Sequence, residues 1–277
     1  MNPPLLAFYQ GEYLPLDGLK IEASDLIVQR GYGAFDFLKS IGGKPLFLDR
    51  YLERFANSAA AMRLQMPYSK DEIRQAIFGL MERNQIPDSG IKLILTGGPS
   101  ADAYTPGKSV LFISQQPLTL PGPKAVEQGV SIITHEYARD LPEVKSINYL
   151  MGVWLQAKVE AAGAVDVLYQ RGGVLSEFPR CNVFVVRQDG TLATPASGVL
   201  KGITRGNVLE IARRRGIATD VGTVTVDDLL GGAEAFLTST TKRIIPIVKV
   251  DGKPIADGRP GALSKSLLAD LYELEKA

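Results

Sequence analysis

Between Pro117 and Ala125 the chain reads PLTLPGPKA, with three prolines and a glycine in one short run. Proline lacks an amide hydrogen and fixes φ, so such a run cannot continue a helix or a central strand and reads as a linker. On both sides the same kind of pattern starts afresh, with apolar strand-like runs alternating with amphipathic helices. The chain is therefore expected to form two α/β domains: a small one over residues 1–118, a linker over 119–126, and a larger one over 127–277. Ligand sites favour clefts between domains, which is where a cofactor or substrate is expected.

The first half opens with the strand-like runs LLAFYQ, FDFLKSI and PLFL. A helix is predicted from Asp49, as N-cap, to about Met62, with Leu52, Phe55 and Ala59 on one face. A second helix opens at Ser69, with Glu72 three residues on in capping-box spacing. The strands IKLILTGG and VLFISQQ follow. Beyond the linker come a strand VSIITHEY, a helix from about Ile147 to Ala162, and the strands DVLYQR, VLSEF and NVFVVR. A glycine-rich approach, SGVLKG, then leads into a helix. The strands AFLTS and IIPIVKVDG precede a last helix from about Leu263 to Glu275. No repeat of fixed period and no low-complexity tract is present.

Composition narrows the chemistry. The formal net charge is +1, so neither nucleic acid nor an anionic membrane is an expected partner. Cys181 is the only cysteine, which rules out an internal disulfide and suits a reducing, cytoplasmic setting. The N-terminal stretch MNPPLLAFYQGEYLPL lacks the basic and apolar regions of a signal peptide. No apolar run approaches membrane-spanning length. His135 is the only histidine, and in its strand-like run it reads as structural. A structural zinc site and a Ser-His-Asp or Cys-His set are not expected. Acid-base work would fall to Lys, Tyr, Glu or a cofactor.

Four places can carry chemistry. Lys145 precedes an apolar run; it is either a snorkelling lysine or an amine desolvated enough to act as a nucleophile toward an aldehyde. Tyr149 follows four residues later, on the same face if the helix starts that early. Ile203 and Thr204 open a helix after Gly202, where free amides and the helix dipole suit a phosphate, although Thr204 also fits a plain cap. Thr238 to Thr241 supply four hydroxyls at a strand end, either a solvated turn or the rest of a phosphate cup. Glu177 lies between two strands; if buried it needs a cationic or N–H partner, and a protonated heterocycle would serve. An amine, a phenol, a phosphate cup and a carboxylate for a ring nitrogen together describe a site for pyridoxal 5′-phosphate (PLP).

In this order the motifs resemble the fold-type IV PLP-dependent enzymes, the class IV aminotransferases, across nearly the whole chain. The likeness rests on GYGAFDFLKSIGGKPLFLDRYLERF, VKSINYL, GGVLSEFPRCNVFVV, LKGITRGNVLEIARRRGI, AFLTSTTKRIIPIVKVDG and IADGRPG. The resemblance implies a role for each matching residue. Lys145 is the Schiff-base lysine and proton carrier, Glu177 the partner of the pyridine nitrogen, and Tyr149 the residue near the 3′-oxygen. Arg50 is implied on the phosphate, with Ile203, Thr204, Ser239 and Thr240 forming the cup and Leu200 packing on one ring face. It also implies a homodimer, and transamination between an amino acid and a 2-oxo acid such as 2-oxoglutarate.

The substrate motifs depart from the family's better-known members. The strand IKLILTGG and the loop after it carry Lys92, but neither the Arg and His of the Bacillus-type D-amino-acid transaminases nor the Tyr-x-Arg-type pattern of branched-chain enzymes. Phe37 stands where a glycine is usual and argues against aminodeoxychorismate lyase. Arg30 and Arg180 fall at matched active-site positions, and with Lys92 and Thr241 they are the candidate substrate-binding residues. Paired arginines suit dicarboxylates. The reading favours a D-amino-acid transaminase of unusual pattern. An L-branched-chain aminotransferase is the alternative, and a catalytically silent PLP-binding protein stays open as a different class.

Overall fold

The computed structural model describes residues 4–276. They divide into two compact units: residues up to Thr119 together with Val144–Asn148, and Leu120–Glu143 together with residues from Tyr149 onward. Each is an α/β body.

The first unit contains strands β1 (Leu6–Tyr9), β2 (Glu12–Pro15), β3 (Gly33–Ile41), β4 (Lys44–Pro45), β5 (Ser89–Thr96) and β6 (Leu111–Pro117), and helices α1 (Leu26–Arg30), α2 (Leu48–Ala61) and α3 (Lys70–Asn84). The strands form one six-stranded sheet in the order β2-β1-β6-β5-β3-β4, antiparallel throughout. Alternation along the strands gives the sheet two unlike faces. Ala34, Leu38, Ile91, Leu95 and Ile113 are fully buried on the face covered by α2 and α3, which pack on β3 and on β1 and β6. The opposite face presents Phe35, Phe37, Ile94 and Phe112, all half-buried, and the exposed Lys92. α3 begins with the capping box expected of Ser69 and Glu72.

The second unit holds α4 (Lys124–Gln128), β7 (Val130–Glu136), α5 (Leu150–Trp154), α6 (Gln156–Ala161), β8 (Val167–Arg171), β9 (Val174–Leu175), β10 (Asn182–Val186), β11 (Leu192–Pro195), α7 (Ile203–Arg214), β12 (Thr219–Gly222), α8 (Val226–Leu230), β13 (Glu234–Ser239), β14 (Arg243–Val250), β15 (Lys253–Pro254) and α9 (Ala262–Lys276). Its nine-stranded mixed sheet runs β12-β11-β10-β13-β14-β7-β8-β9, with β15 on β14. All of β10 is buried, because both faces of the sheet are covered. Val183 and Val185 point into one core with Leu237 and Ile245. Phe184 and Val186 point into the other, with Val208 and Ile211 of α7 and Leu267 and Leu271 of α9.

Several local expectations need correcting. α2 has its N-cap at Phe47, two residues before the expected Asp49, with no side-chain cap; Asp49 sits in the first turn, where a carboxylate suits the helix dipole. In PLFL only Pro45 is in a strand, and in VLSEF only Val174 and Leu175 are. The helix expected from Ile147 begins at Leu150 and breaks before Gln156. The residues before it are extended: Ser146 bridges to Ala34, the Phe35 amide donates to the Lys145 carbonyl at 2.9 Å, and the Ile147 amide donates to Gly33 at 3.0 Å. Tertiary pairing with β3 has taken the backbone groups a helix would need. Lys145 and Tyr149 therefore share no helical face. Lys145 also falls in the first unit, whereas the expected division placed all of 127–277 in the second.

Candidate active site

In the second unit the site grows from the point where β10 begins. Asn182 is registered against Thr238 near the end of β13. Its side-chain amide donates to the Leu200 carbonyl at 2.8 Å and to Glu177 Oε2 at 3.2 Å. The Leu200 amide donates to the same carboxylate oxygen at 2.8 Å. Arg139 Nη1 donates to the other oxygen, Oε1, at 2.9 Å. Glu177 is only 3 % exposed. A guanidinium and two neutral donors thus hold an ionised carboxylate inside the protein, as a buried anion requires.

Gly202 caps α7 beside this cluster. Its φ of −62° is open to any residue, so backbone freedom does not explain the glycine. Space does: a Cβ there would stand 2.1 Å from Asn182 Oδ1. The first-turn amides of α7, at Ile203 and Thr204, have no acceptor within the helix and point out of its positive end. Arg205 in the same turn is buried and bonded to Thr194 Oγ1 and the Pro195 carbonyl. Burial lowers its guanidinium below its usual range, while the Glu177 carboxylate acts in the opposite sense. Where β13 runs into the next turn, Ser239 Oγ accepts from the Lys242 amide at 3.1 Å, and its hydroxyl also bonds the buried Cys181 thiol. Thr240 and Thr241 are half-buried in that turn. Among the described residues the buried Thr238 hydroxyl has no partner.

Tyr149 caps α5, and the Arg139 guanidinium carbon lies 5.5 Å from its ring centroid. Tyr149 and the exposed Arg180 line one cavity of about 380 Å³, together with Gln156, Glu160 and Asp166. Arg139 links Glu177 to Tyr149, yet nothing in its loop marks it out in the sequence. Its side chain is 9 % exposed, and its buried Nη2 has no hydrogen-bond partner among the described residues.

In the first unit Lys145 is fixed through its backbone. Besides the pairing with β3, its amide donates to Ser58 Oγ on α2 at 3.1 Å. Its half-buried side chain places Nζ 4.6 Å from the Phe35 ring centroid, and Lys92 Nζ lies 5.5 Å from the same centroid. Arg50 is exposed, with its guanidinium over Phe47. Arg54, one turn further along α2, is the inward arginine; it makes a two-pronged pair with the fully buried Asp36, at 3.0 and 2.6 Å. Arg30 is exposed at the end of α1 and donates to the Gln29 carbonyl. Among the described residues no group of His, Cys, Asp or Glu side chains is arranged to hold a metal ion.

The second unit's donor set suits a phosphorylated heterocycle. Glu177 can accept from a protonated ring nitrogen, and the α7 amides with the β13–β14 hydroxyls can hold a phosphate. The first unit presents an amine beside an aromatic ring.

Residues 33–250 match the family described as amino-transferase class IV. The chain is 30 % identical over 264 residues to a D-alanine aminotransferase of Bacillus licheniformis, covering 94 % of this chain and 93 % of that protein. It superposes on a T.th. branched-chain amino acid aminotransferase, solved with pyridoxamine 5′-phosphate, with a TM-score of 0.91 and 25 % identity over 99 % of this chain and 95 % of that one. The Escherichia coli branched-chain enzyme has the same fold, with a TM-score of 0.89 and 23 % identity over 99 % and 95 % of the two chains.

Proposed function

The chain belongs to the class IV aminotransferases, and from that premise we propose that it is a PLP-dependent transaminase moving the amino group of a D-amino acid to a 2-oxo acid. The observation that carries the reading is the buried Glu177 carboxylate, held by Arg139, Asn182 and the Leu200 amide. A binding module has no need of an anion kept ionised at such cost.

Bound PLP supplies an electron sink for the substrate Cα. Glu177 keeps the proton on the ring nitrogen, and Arg139 keeps Glu177 ionised. The amides of Ile203 and Thr204 and the hydroxyls of Thr204, Ser239 and Thr240 bind the phosphate. Of the two α2 arginines, the inward Arg54 takes the phosphate role in place of the exposed Arg50. Leu200 packs on a ring face, and Tyr149 donates toward the 3′-oxygen. Lys145 Nζ would take the proton from the substrate Cα and deliver it to C4′ of the cofactor, on the far side of the amino nitrogen, so one residue would serve both transfers. Lys92, Arg30, Arg180 and Thr241 bind the substrate carboxylates.

The D-amino-acid preference is supported by the likeness to the D-alanine enzyme and by the cations assigned to carboxylates. An L-branched-chain specificity is the second reading, favoured by the aromatic sheet face of Phe35, Phe37 and Phe112. The test is a half-reaction: PLP-loaded protein is mixed separately with D-alanine, D-glutamate, L-leucine and L-glutamate while the cofactor's visible band is followed. A change with the D-amino acids alone supports the proposal. A change with L-leucine and L-glutamate alone establishes the second reading, and no change with any of them sinks both.

A further inference from the structure

On the face of the first unit's sheet opposite α2 and α3, Phe35 and Phe37 are two residues apart on β3 and point the same way. Phe37 is registered opposite Lys92, and Lys39 opposite Gly90. Directly paired residues share a face, so Phe35, Phe37, Lys39, Gly90 and Lys92 belong to one surface. Lys145 and Lys92 both direct their nitrogens at the Phe35 ring. Phe37 is therefore the next large side chain on this face of β3 after the ring beside which the Lys145 amine lies.

The Phe37 ring does not stand upright on this surface. It leans diagonally across onto Gly90, where a Cβ would lie 2.4 Å from its Cζ and 2.7 Å from its Cε2. No real Cβ sits that close to an aromatic ring. Gly90 has no positive φ, so its backbone accepts any residue and the glycine serves to leave a notch. The atoms in conflict are the far end of a rotatable side chain. A methyl group at Gly90 would turn the ring to another staggered position rather than break the strand.

We propose that Gly90 is a specificity-determining residue: its missing side chain parks the Phe37 ring and keeps open the space beside Phe35 that receives the substrate's side chain. The inference rests on the transaminase reading and names what sets the substrate's size in it. With the notch filled, the ring turns back over Phe35 and Lys92 and excludes long or branched side chains while sparing alanine. With the ring removed, the state of the notch no longer matters.

Three variants test this on the PLP-loaded protein: Gly90→Ala, Phe37→Ala and the double variant. Alanine and leucine of whichever enantiomer reacts are compared by kcat/KM. Gly90→Ala should lower the leucine-to-alanine ratio by about tenfold, the scale on which apolar pockets discriminate. Phe37→Ala should raise the ratio, and the double variant should match Phe37→Ala rather than Gly90→Ala. Calorimetric binding of unreactive 4-methylpentanoate against propionate should move in the same directions without any turnover. Ratios within twofold of the parent for Gly90→Ala, or a double variant as restricted as Gly90→Ala, overturn the proposal. If Gly90→Ala fails to fold, an unchanged ratio in Phe37→Ala overturns it alone. A parent protein that reacts with no amino acid overturns the transaminase reading instead, and the carboxylate titration still decides the role of the notch.

Discussion

Arg139 and Glu177 form an ion pair at 2.9 Å whose two side chains are 9 % and 4 % exposed. The arginine comes from the loop after β7 and the carboxylate from the loop before β10. Neutralising one partner strands the other charge in a medium that solvates it poorly. Arg139→Met should therefore cost about 3–5 kcal/mol of stability without cofactor, with Arg139→Lys intermediate. Urea unfolding of the cofactor-free protein measures this. A loss below about 1 kcal/mol would mean that water reaches Glu177 when the guanidinium is gone.

Lys145→Ala should abolish turnover with every amino acid and remove the lysine-dependent visible absorbance, while the protein still folds. Its backbone hydrogen bonds, to Ser58 Oγ and from the Phe35 amide, survive the substitution, so circular dichroism should be unchanged. Retained turnover would remove Lys145 from the mechanism.

Arg180 lines the same cavity as Tyr149. If it pairs with a substrate's side-chain carboxylate, Arg180→Ala should raise KM for dicarboxylic amino acids far more than for alanine, by roughly 2–4 kcal/mol. Equal effects on both substrates would place Arg180 on the α-carboxylate or outside the site.

At the start of α8, the Thr225 backbone amide, followed by its hydroxyl, holds the Asp228 carboxyl below the usual carboxylate range. A group whose folded pKa lies below its unfolded value of about 3.9 adds stability above that value and loses it as pH falls through the folded one. Asp228→Asn should thus be less stable than the parent at pH 7, with the gap shrinking between about pH 5 and pH 2. Thr225→Ala, which removes the reciprocal cap, should cost about 1 kcal/mol. Thermal melts across that pH range check both.

What the sequence revealed was local or pairwise. The Ser69–Glu72 box is written in four adjacent residues and appears as expected. The helix after Gly202 was readable for the same reason. The extended conformation of Lys145–Ile147 was not, because its cause is β3, more than a hundred positions away. Arg50 and Arg54 lie on one helix, and sequence alone does not say which is exposed; Asp36 decides it by burying a carboxylate under α2. Arg139 sits in an irregular loop where no periodicity reports on burial, and Asn182 is the lone polar residue at the start of an otherwise apolar strand. The short strands β11 and β12 went unread because four residues carry too little alternation to register.

The pairing of Ser146 with Ala34 has a consequence for biosynthesis. β4 covers only the Ser40–Ile41 end of β3, and the Gly33–Phe35 end is completed by Lys145–Ile147. β6 ends at Pro117, so all six strands of this sheet are synthesised and leave the ribosome ahead of the segment that completes the edge. During that interval β3 exposes a raw edge of the kind that recruits strands from other molecules. The segment that carries Lys145 is also the seal on that edge, so lesions there threaten solubility during synthesis, whatever they do to the chemistry.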